Sequence, residues 1–281
     1  MNRFRPDRCP GALRPWPAAD GLLVRLRLPG GRLRADSLRA LVAVAERYGD
    51  GRVHVTGRSN LQIRALPRAA GSERLPEVVL EDLEATGLLP SRTHDLARNV
   101  MASPQSGLVG GRTDVRPIVD ALDAELCGAP RLGGLPGRFL FVLDDGRGDL
   151  LSRTCDLGLV ALDGARAQLR VGAGWGPVVD LHEAPRVLAD LALRFLEVRG
   201  DGGGAPWHVT ELAVPLLAPH APERHLPHPA PPLGYGPVPG GVHESVPEAG
   251  FDRRAVERLC TTASELVVTP WRGVLIPEEN R

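Results

Sequence analysis

The stretch HVTGRSNLQIRAL, His54 to Leu66, decides how the first part of the chain folds. Valine and threonine alternate with polar residues as in a strand, and side chains two apart on a strand share a face. Arg58, Asn60, Gln62 and Arg64 then form one polar row, with Leu61 and Ile63 on the opposite, buried face. Upstream, GLLVRLRL from Gly21 alternates as a second strand and PGG turns the chain. ADSLRALVAVAERYGD follows, with Leu38, Leu41, Val42 and Ala45 at helical spacing. Asp36 or Ser37 is the expected cap of that helix, and Gly49 follows its end. The order is strand, helix, strand, and LPEVVLEDLEATGLLP adds a short amphipathic helix ending at Gly87.

Beyond Ser91 a polar loop leads to a helix with Ile118, Leu122 and Leu126 on one face. Short apolar runs separated by Asp-Gly and Gly-rich turns then predict an antiparallel meander. EAPRVLADLALRFLEVRG closes this block as a helix with Val187, Leu191 and Phe195 in register. Residues 200–243 are dense in proline, glycine and histidine and read as an irregular, solvated connection. His225 and His228 lie close in sequence there, but no carboxylate or cysteine pattern completes a metal-ligand set. The end of the chain repeats its beginning: ELVVTPWRGVLI aligns with RVHVTGRSNLQI, setting Thr269 beside Thr56 and Ile276 beside Ile63. An internal duplication brackets the middle block.

Composition narrows the function classes. The 281 residues carry 34 basic and 34 acidic side chains, every basic one an arginine, for a net charge of zero. That balance, with 4% aromatic residues, disfavours a nucleic-acid-binding β-ribbon, the distant alternative for Arg58 and Arg64. No apolar run approaches a membrane span and no signal-peptide core is visible, so the expected setting is cytoplasmic, with no membrane partner. Cys9, Cys127, Cys155 and Cys260 form no CxxC, CxxxC or Cx5C pair, so neither a disulfide framework nor a self-contained metal site is expected.

DGLLVRLRLPGGRL, VTGRSNLQIRAL, ARNVMASPQSGL, LPGRFLFVLDD and TPWRGVLIP, in this order, resemble the nitrite/sulphite reductase family of sirohaem and 4Fe-4S proteins. The early CPG…PWPAADGLLVRLRLPGG with the late TPWRGVLIP is most similar to the family's precorrin-3B synthase branch, which serves aerobic cobalamin biosynthesis. The resemblance implies an α+β fold in which two ferredoxin-like half-domains flank one α/β domain. The boundaries are 1–75 for the first half-domain, 76–215 for the α/β domain, 216–235 for a Pro/His-rich linker and 236–281 for the second half-domain.

It also implies a carboxylated ligand, sirohaem or a precorrin-type tetrapyrrole, because planar arginine forks bind carboxylates bidentately. Arg58, Asn60, Gln62 and Arg64 would face it, joined by Arg98 and Asn99 of the RNV motif, Arg138 of LPGRFLF and Arg272 of the closing repeat. Leu140 stands where sulphite-reducing members carry a second basic side chain, which fits the cobalamin branch better. The family's four cluster-holding cysteines belong to a further domain whose motifs this chain lacks. The expectation is a precorrin-3B synthase-like oxidoreductase dependent on a separate cluster-bearing chain. A non-catalytic tetrapyrrole-binding protein, or part of an assimilatory nitrite/sulphite reductase, is the alternative.

Overall fold

The computed structural model describes residue 7 and residues 9–278. They divide into two compact units, one of residues 9–95 with those from 233 onward, the other centred on residues 96–232.

The first unit opens with β1 (Trp16–Ala18), β2 (Gly21–Leu26), β3 (Arg32–Arg34), α1 (Ala35–Tyr48), β4 (His54–Val55), β5 (Leu61–Leu66) and α2 (Glu77–Ala85). Helix α1 forms because Leu38, Leu41, Val42 and Ala45 recur at three- and four-residue spacing, and all four are buried. Neither Asp36 nor Ser37 caps it. The helix begins one residue earlier, and its Ala35 N–H is held at 2.9 Å by the Ser264 carbonyl of the closing repeat. Strands β1, β2, β5 and β4 pair antiparallel in that order. Leu22 faces Leu66 while Val24 faces Ile63, so β5 carries one extra residue, and Ala65 takes φ 57° at this bulge.

The other unit contains β6 (Val100–Ala102), α3 (Arg116–Gly128), β7 (Phe141–Asp144), β8 (Leu157–Ala161), β9 (Arg166–Val171), β10 (Gly174–Asp180) and α4 (Ala184–Arg199). Its sheet order is β10-β9-β8-β7-β6, with β6, β7 and β8 parallel and only β8, β9 and β10 antiparallel. The meander expectation is therefore corrected. The unbroken apolar runs of β7 and β8 are buried at every position, the pattern of parallel strands covered on both faces. Phe139 packs on Phe141 and Phe195 at 5.3 and 4.8 Å between ring centres, tying α4 to the sheet.

Residues 216–232 are no free linker. His220 N–H bonds Trp175 O, Gln168 holds both Ala221 O and Glu223 N–H at 2.8 Å, and Ala230 N–H bonds Gly148 O. The segment is an exposed strap bonded to its own unit.

The chain then returns to the first unit as β11 (Gly236–Val238), β12 (Gly241–Ser245), α5 (Arg253–Thr262), β13 (Glu265–Val268) and β14 (Gly273–Pro277). Asp252 caps α5 by accepting from Ala255 N–H, and Val256 and Leu259 are buried as their spacing predicts. The two repeats exchange backbone. β3 of the first repeat pairs with β13, completing the order β11-β12-β14-β13-β3, while Phe251 of the second repeat makes two hydrogen bonds to Val53. Leu22, Leu41 and Ile63 share one core with Val256, Leu266 and Ile276. Val79, Leu80 and Leu83 of α2 enter that same core, so α2 belongs to this unit and not to the α/β domain in which a boundary at residue 76 places it.

At the crossing point Gly31 is buried with φ 72°, and a β-carbon there would stand 2.2 Å from the Val268 carbonyl oxygen. Gly31→Ala combines a left-handed conformation with an immovable backbone clash. It is expected to cost about 3 kcal/mol, read as a lowered midpoint in urea unfolding. A loss within about 0.5 kcal/mol would show that the contact between the repeats is loose.

Candidate functional site

The polar row is shorter than strict alternation predicts. Thr56–Asn60 is a tight turn: Thr56 N–H bonds Asn60 O at 2.9 Å, Asn60 N–H bonds Thr56 Oγ1 at 3.2 Å, and Ser59 takes φ 56°. The second repeat builds the same turn, with Thr269 N–H to Gly273 O at 2.9 Å, Gly273 N–H to Thr269 Oγ1 at 3.2 Å, and Arg272 at φ 60°. This shared geometry is the physical basis of the Thr56–Thr269 match. A β-carbon on Gly57 would lie 3.9 Å from Pro270 O, so Arg58 and the exposed Arg272 stand on neighbouring turns.

Alternation begins only at Leu61. Asn60 is turned inward, 2% exposed, and its Oδ1 accepts Leu28 N–H at 3.0 Å, which makes it a clamp on the turn and removes it from the row. Gln62 and the half-buried Arg64 remain on the polar face. Gln62 is joined across the sheet by Arg25, whose Nη2 donates to its Oε1 at 3.4 Å, and on the other side by His54. His54 Nε2 in turn contacts Asp50 Oδ2 at 3.3 Å. The row runs across three strands and not along one. The signal for Arg25 was in GLLVRLRL, whose odd positions share a face.

Arg64 Nε and Ser59 Oγ are screened from solvent with no hydrogen-bond partner among the described residues. A buried donor left in that state costs about 1–3 kcal/mol, and an external acceptor recovers it. Carboxylate oxygens suit a guanidinium best. On this ground the face fits a carboxylated ligand.

The duplicated face does not. In the second repeat Leu275 occupies the register position of Gln62 and His243 that of Arg25. His243 is fully buried: Nδ1–H donates to Gly234 O and Nε2 accepts from the Thr269 hydroxyl, both at 2.9 Å. Burial holds its pKa below the ordinary histidine value, and the Tyr235 ring stacks on it at 4.8 Å. The polar row belongs to the first repeat alone.

Three residues expected at the ligand have structural or surface roles in the α/β unit. Arg98 is locked to Asp123 of α3 by two hydrogen bonds of 2.6 and 2.7 Å, and Asn99 is buried with Nδ2 donating to Phe139 O. Their motif anchors the start of β6, with the Nε/Nη2 edge of Arg98 filled by the Asp123 carboxylate. Arg138 is exposed and lies over the Trp207 ring at 5.3 Å.

Thiolate chemistry finds no support. Cys9 and Cys260 lie in one unit, Cys127 and Cys155 in the other. Burial pushes the Cys155 thiol up to about 11 and raises Cys127 and Cys260 as well, and Cys260 Sγ donates to Ala35 O at 3.3 Å. Among the described residues no group of three or more histidine, cysteine or acidic side chains could hold a metal ion. The residues present do not fit an iron–sulfur cluster.

Residues 17–71 match the model of the nitrite/sulfite reductase ferredoxin-like half domain, the segment that carries the turn and the polar row. Over this part of its length the chain is similar to the nitrite/sulfite reductases. It is 36% identical over 132 residues to the ferredoxin–nitrite reductase of Synechococcus elongatus and 33% identical over 131 residues to that of Leptolyngbya laminosa, in each case 44% of this chain and 25% of the relative. It is 40% identical over 76 residues to a precorrin-3B synthase of Sinorhizobium sp., which is 27% of this chain and 16% of that one. The matched stretches thus span a quarter or less of these relatives. The solved structure of the Mycobacterium tuberculosis NirA protein shares the α+β fold, with a TM-score of 0.67 and 19% identity over 92% of this chain and 54% of that one. No helix among the described residues is long and apolar enough to cross a membrane.

A second group of buried polar side chains belongs to the α/β unit. Asp144 accepts the N–H groups of Gly146, Gly148 and Leu150, Asp145 pairs with Arg147, and Asp149 accepts the Ser103 hydroxyl at 2.7 Å. Burial, then the charge of Asp144, pushes Asp149 from 3.8 up to about 7. With the folded value above the unfolded one, the native state keeps this proton between about pH 4 and 7, and stability falls as pH rises through that window. Thermal midpoints are expected to decline from pH 5 to pH 8 in the native sequence and to decline less in Asp149→Asn. Equal slopes would place the effect elsewhere.

Anaerobic incubation with iron and sulphide should leave this chain without a stoichiometric cluster, as read by metal analysis and visible absorption. One cluster per chain would overturn the cysteine assignment.

Proposed function

We propose that the chain holds a carboxylated tetrapyrrole, sirohaem or a precorrin, on the polar face of β2, β5 and β4, as the ligand-holding part of a precorrin-3B synthase-like oxidoreductase. The observation that carries this reading is the buried, unbonded Arg64 Nε beside Gln62, on a face whose duplicate has Leu275 in place of Gln62 and an internally bonded His243 in place of Arg25. The half-domain match over residues 17–71 and the precorrin-3B synthase relative support it. In this reading Arg64 donates to a ligand carboxylate, Gln62 and Arg25 align a second acceptor along the row, and Arg58 and Arg272 close the ligand's outer edge from the paired turns. The tetrapyrrole supplies the reacting ring, or the iron at its centre, when bound. Residues 236–278 complete the arrangement as a second half-domain, and a separate cluster-bearing chain or segment provides the electrons.

The longer match to the two ferredoxin–nitrite reductases favours one alternative, a ligand-holding portion of a nitrite- or sulphite-reducing assembly. The two readings share the ring-binding face and part at the ligand. Titration with sirohaem and with a metal-free precorrin, followed at the Soret band, separates them. Arg64→Ala is expected to weaken binding at least tenfold, since a charge-assisted hydrogen bond contributes about 1.5–3 kcal/mol. Gln62→Ala should weaken it a few-fold, with the exposed Arg131→Ala as the unchanged control. No Soret shift with either ligand at micromolar concentration would falsify the proposal.

A further inference from the structure

Beside the polar row lies a buried charge pair that the reading above leaves unused. Asp95 is 5% exposed and Arg27 3% exposed, with Arg27 Nη1 3.9 Å from Asp95 Oδ1. Each also grips the segment Cys9–Ala12. Asp95 Oδ2 accepts Ala12 N–H at 2.6 Å, and Arg27 Nη1 donates to Pro10 O at 2.7 Å. The same Nη1 donates to the carbonyl of Arg25 at 2.8 Å, so one guanidinium joins the arm to the residue that heads the polar row. Leu23, Arg25 and Arg27 alternate with the core residues Leu22, Val24 and Leu26, which puts Arg27 on the same face as Arg25. The arm therefore runs along the end of the row, with Cys9, 9% exposed, beside Pro10.

A buried ion pair is a poor way to gain stability, because desolvation consumes most of the attraction and apolar packing of the same volume does as well. What it supplies is a fixed geometry. We infer that Asp95 and Arg27 are positioning residues for the ligand face: they hold the Cys9–Ala12 arm as a wall against which one edge of the tetrapyrrole seats. This deepens the tetrapyrrole reading and rests on it. Arg27 Nη1 is already spent on the carbonyls of Pro10 and Arg25, which ties this end of the row to the arm. The ligand's carboxylates are thereby directed to the Arg64 end of the row, and the wall sets the orientation of the ring.

Cys9 reports on the arm without any ligand. Its alkylation by N-ethylmaleimide, followed by peptide mass spectrometry, is expected to be slow in the native chain and at least fivefold slower with saturating sirohaem. Asp95→Asn keeps the shape and removes the charge. It should speed Cys9 alkylation at least tenfold and weaken sirohaem binding at least fivefold, whereas Arg64→Ala should weaken binding with Cys9 unchanged in the ligand-free chain. Arg27→Lys keeps the charge beside Asp95 but loses the planar fork; it should show both changes at smaller size, and it decides the matter if Asp95→Asn does not fold. Faster Cys9 alkylation with native sirohaem affinity in either variant makes the clamp purely structural and overturns the inference while leaving the tetrapyrrole reading intact. Unchanged Cys9 alkylation in both variants overturns it as well. Failure of the native chain to bind sirohaem removes both.

Discussion

The reciprocal exchange of backbone between the two repeats is the constraint on which the first unit depends. β3 leaves its own repeat to pair with β13, and Phe251 returns the contact to Val53, so neither repeat completes its sheet alone. Gly31 permits the crossing, because only a residue without a β-carbon can approach the Val268 carbonyl so closely. Once the sheets are joined, α1 and α5 are committed to one core between them, and the hairpin turns at Thr56 and Thr269 come to rest side by side. The geometry of the candidate site follows from a pairing made far from it in sequence.

Duplication supplied two equivalent faces, and the polar groups survive on one. Gln62 and Arg25 in the first repeat correspond to Leu275 and His243 in the second, where Tyr235 covers the imidazole and both ring nitrogens are satisfied internally. The difference is energetic as well as compositional. A face whose donors are all paired within the chain has nothing to gain from a ligand, while Arg64 Nε on the other face is a desolvated donor awaiting an acceptor.

Much of this was legible in the sequence, for identifiable reasons. Helices α1, α4 and α5 were visible because their apolar residues repeat at the helical period, and the duplication because both turns need a threonine whose hydroxyl accepts the closing amide. What could not be read was long-range. The parallel pairing of β6, β7 and β8 shows locally only as apolar runs without alternation, which leave each strand's partner and direction unstated. Asn60, Arg98 and Asn99 are polar residues in family motifs, and nothing in their spacing tells a ligand contact from an internal clamp; that depends on Leu28, Asp123 and Phe139, up to 40 positions away. The bulge at Ala65 and the turn at Ser59 break the alternation at both ends of the row.

The arginine-only composition acquires a structural meaning from these cases. Arg98 fills a bidentate bridge, Arg27 spans two carbonyls with one nitrogen, and Arg64 carries a screened Nε that a lysine does not possess. Each use depends on a planar fork with several directed donors, which a compact ammonium cannot reproduce. The same side chain thus serves two opposed ends. At Arg98 it braces the fold through a two-point grip on one carboxylate, and at the half-buried Arg64 a screened Nε offers a place for an acid from outside. The distinction lies in what each guanidinium already holds: Arg98 closes on Asp123 through two nitrogens, whereas Arg64 Nε meets no acceptor among the described residues.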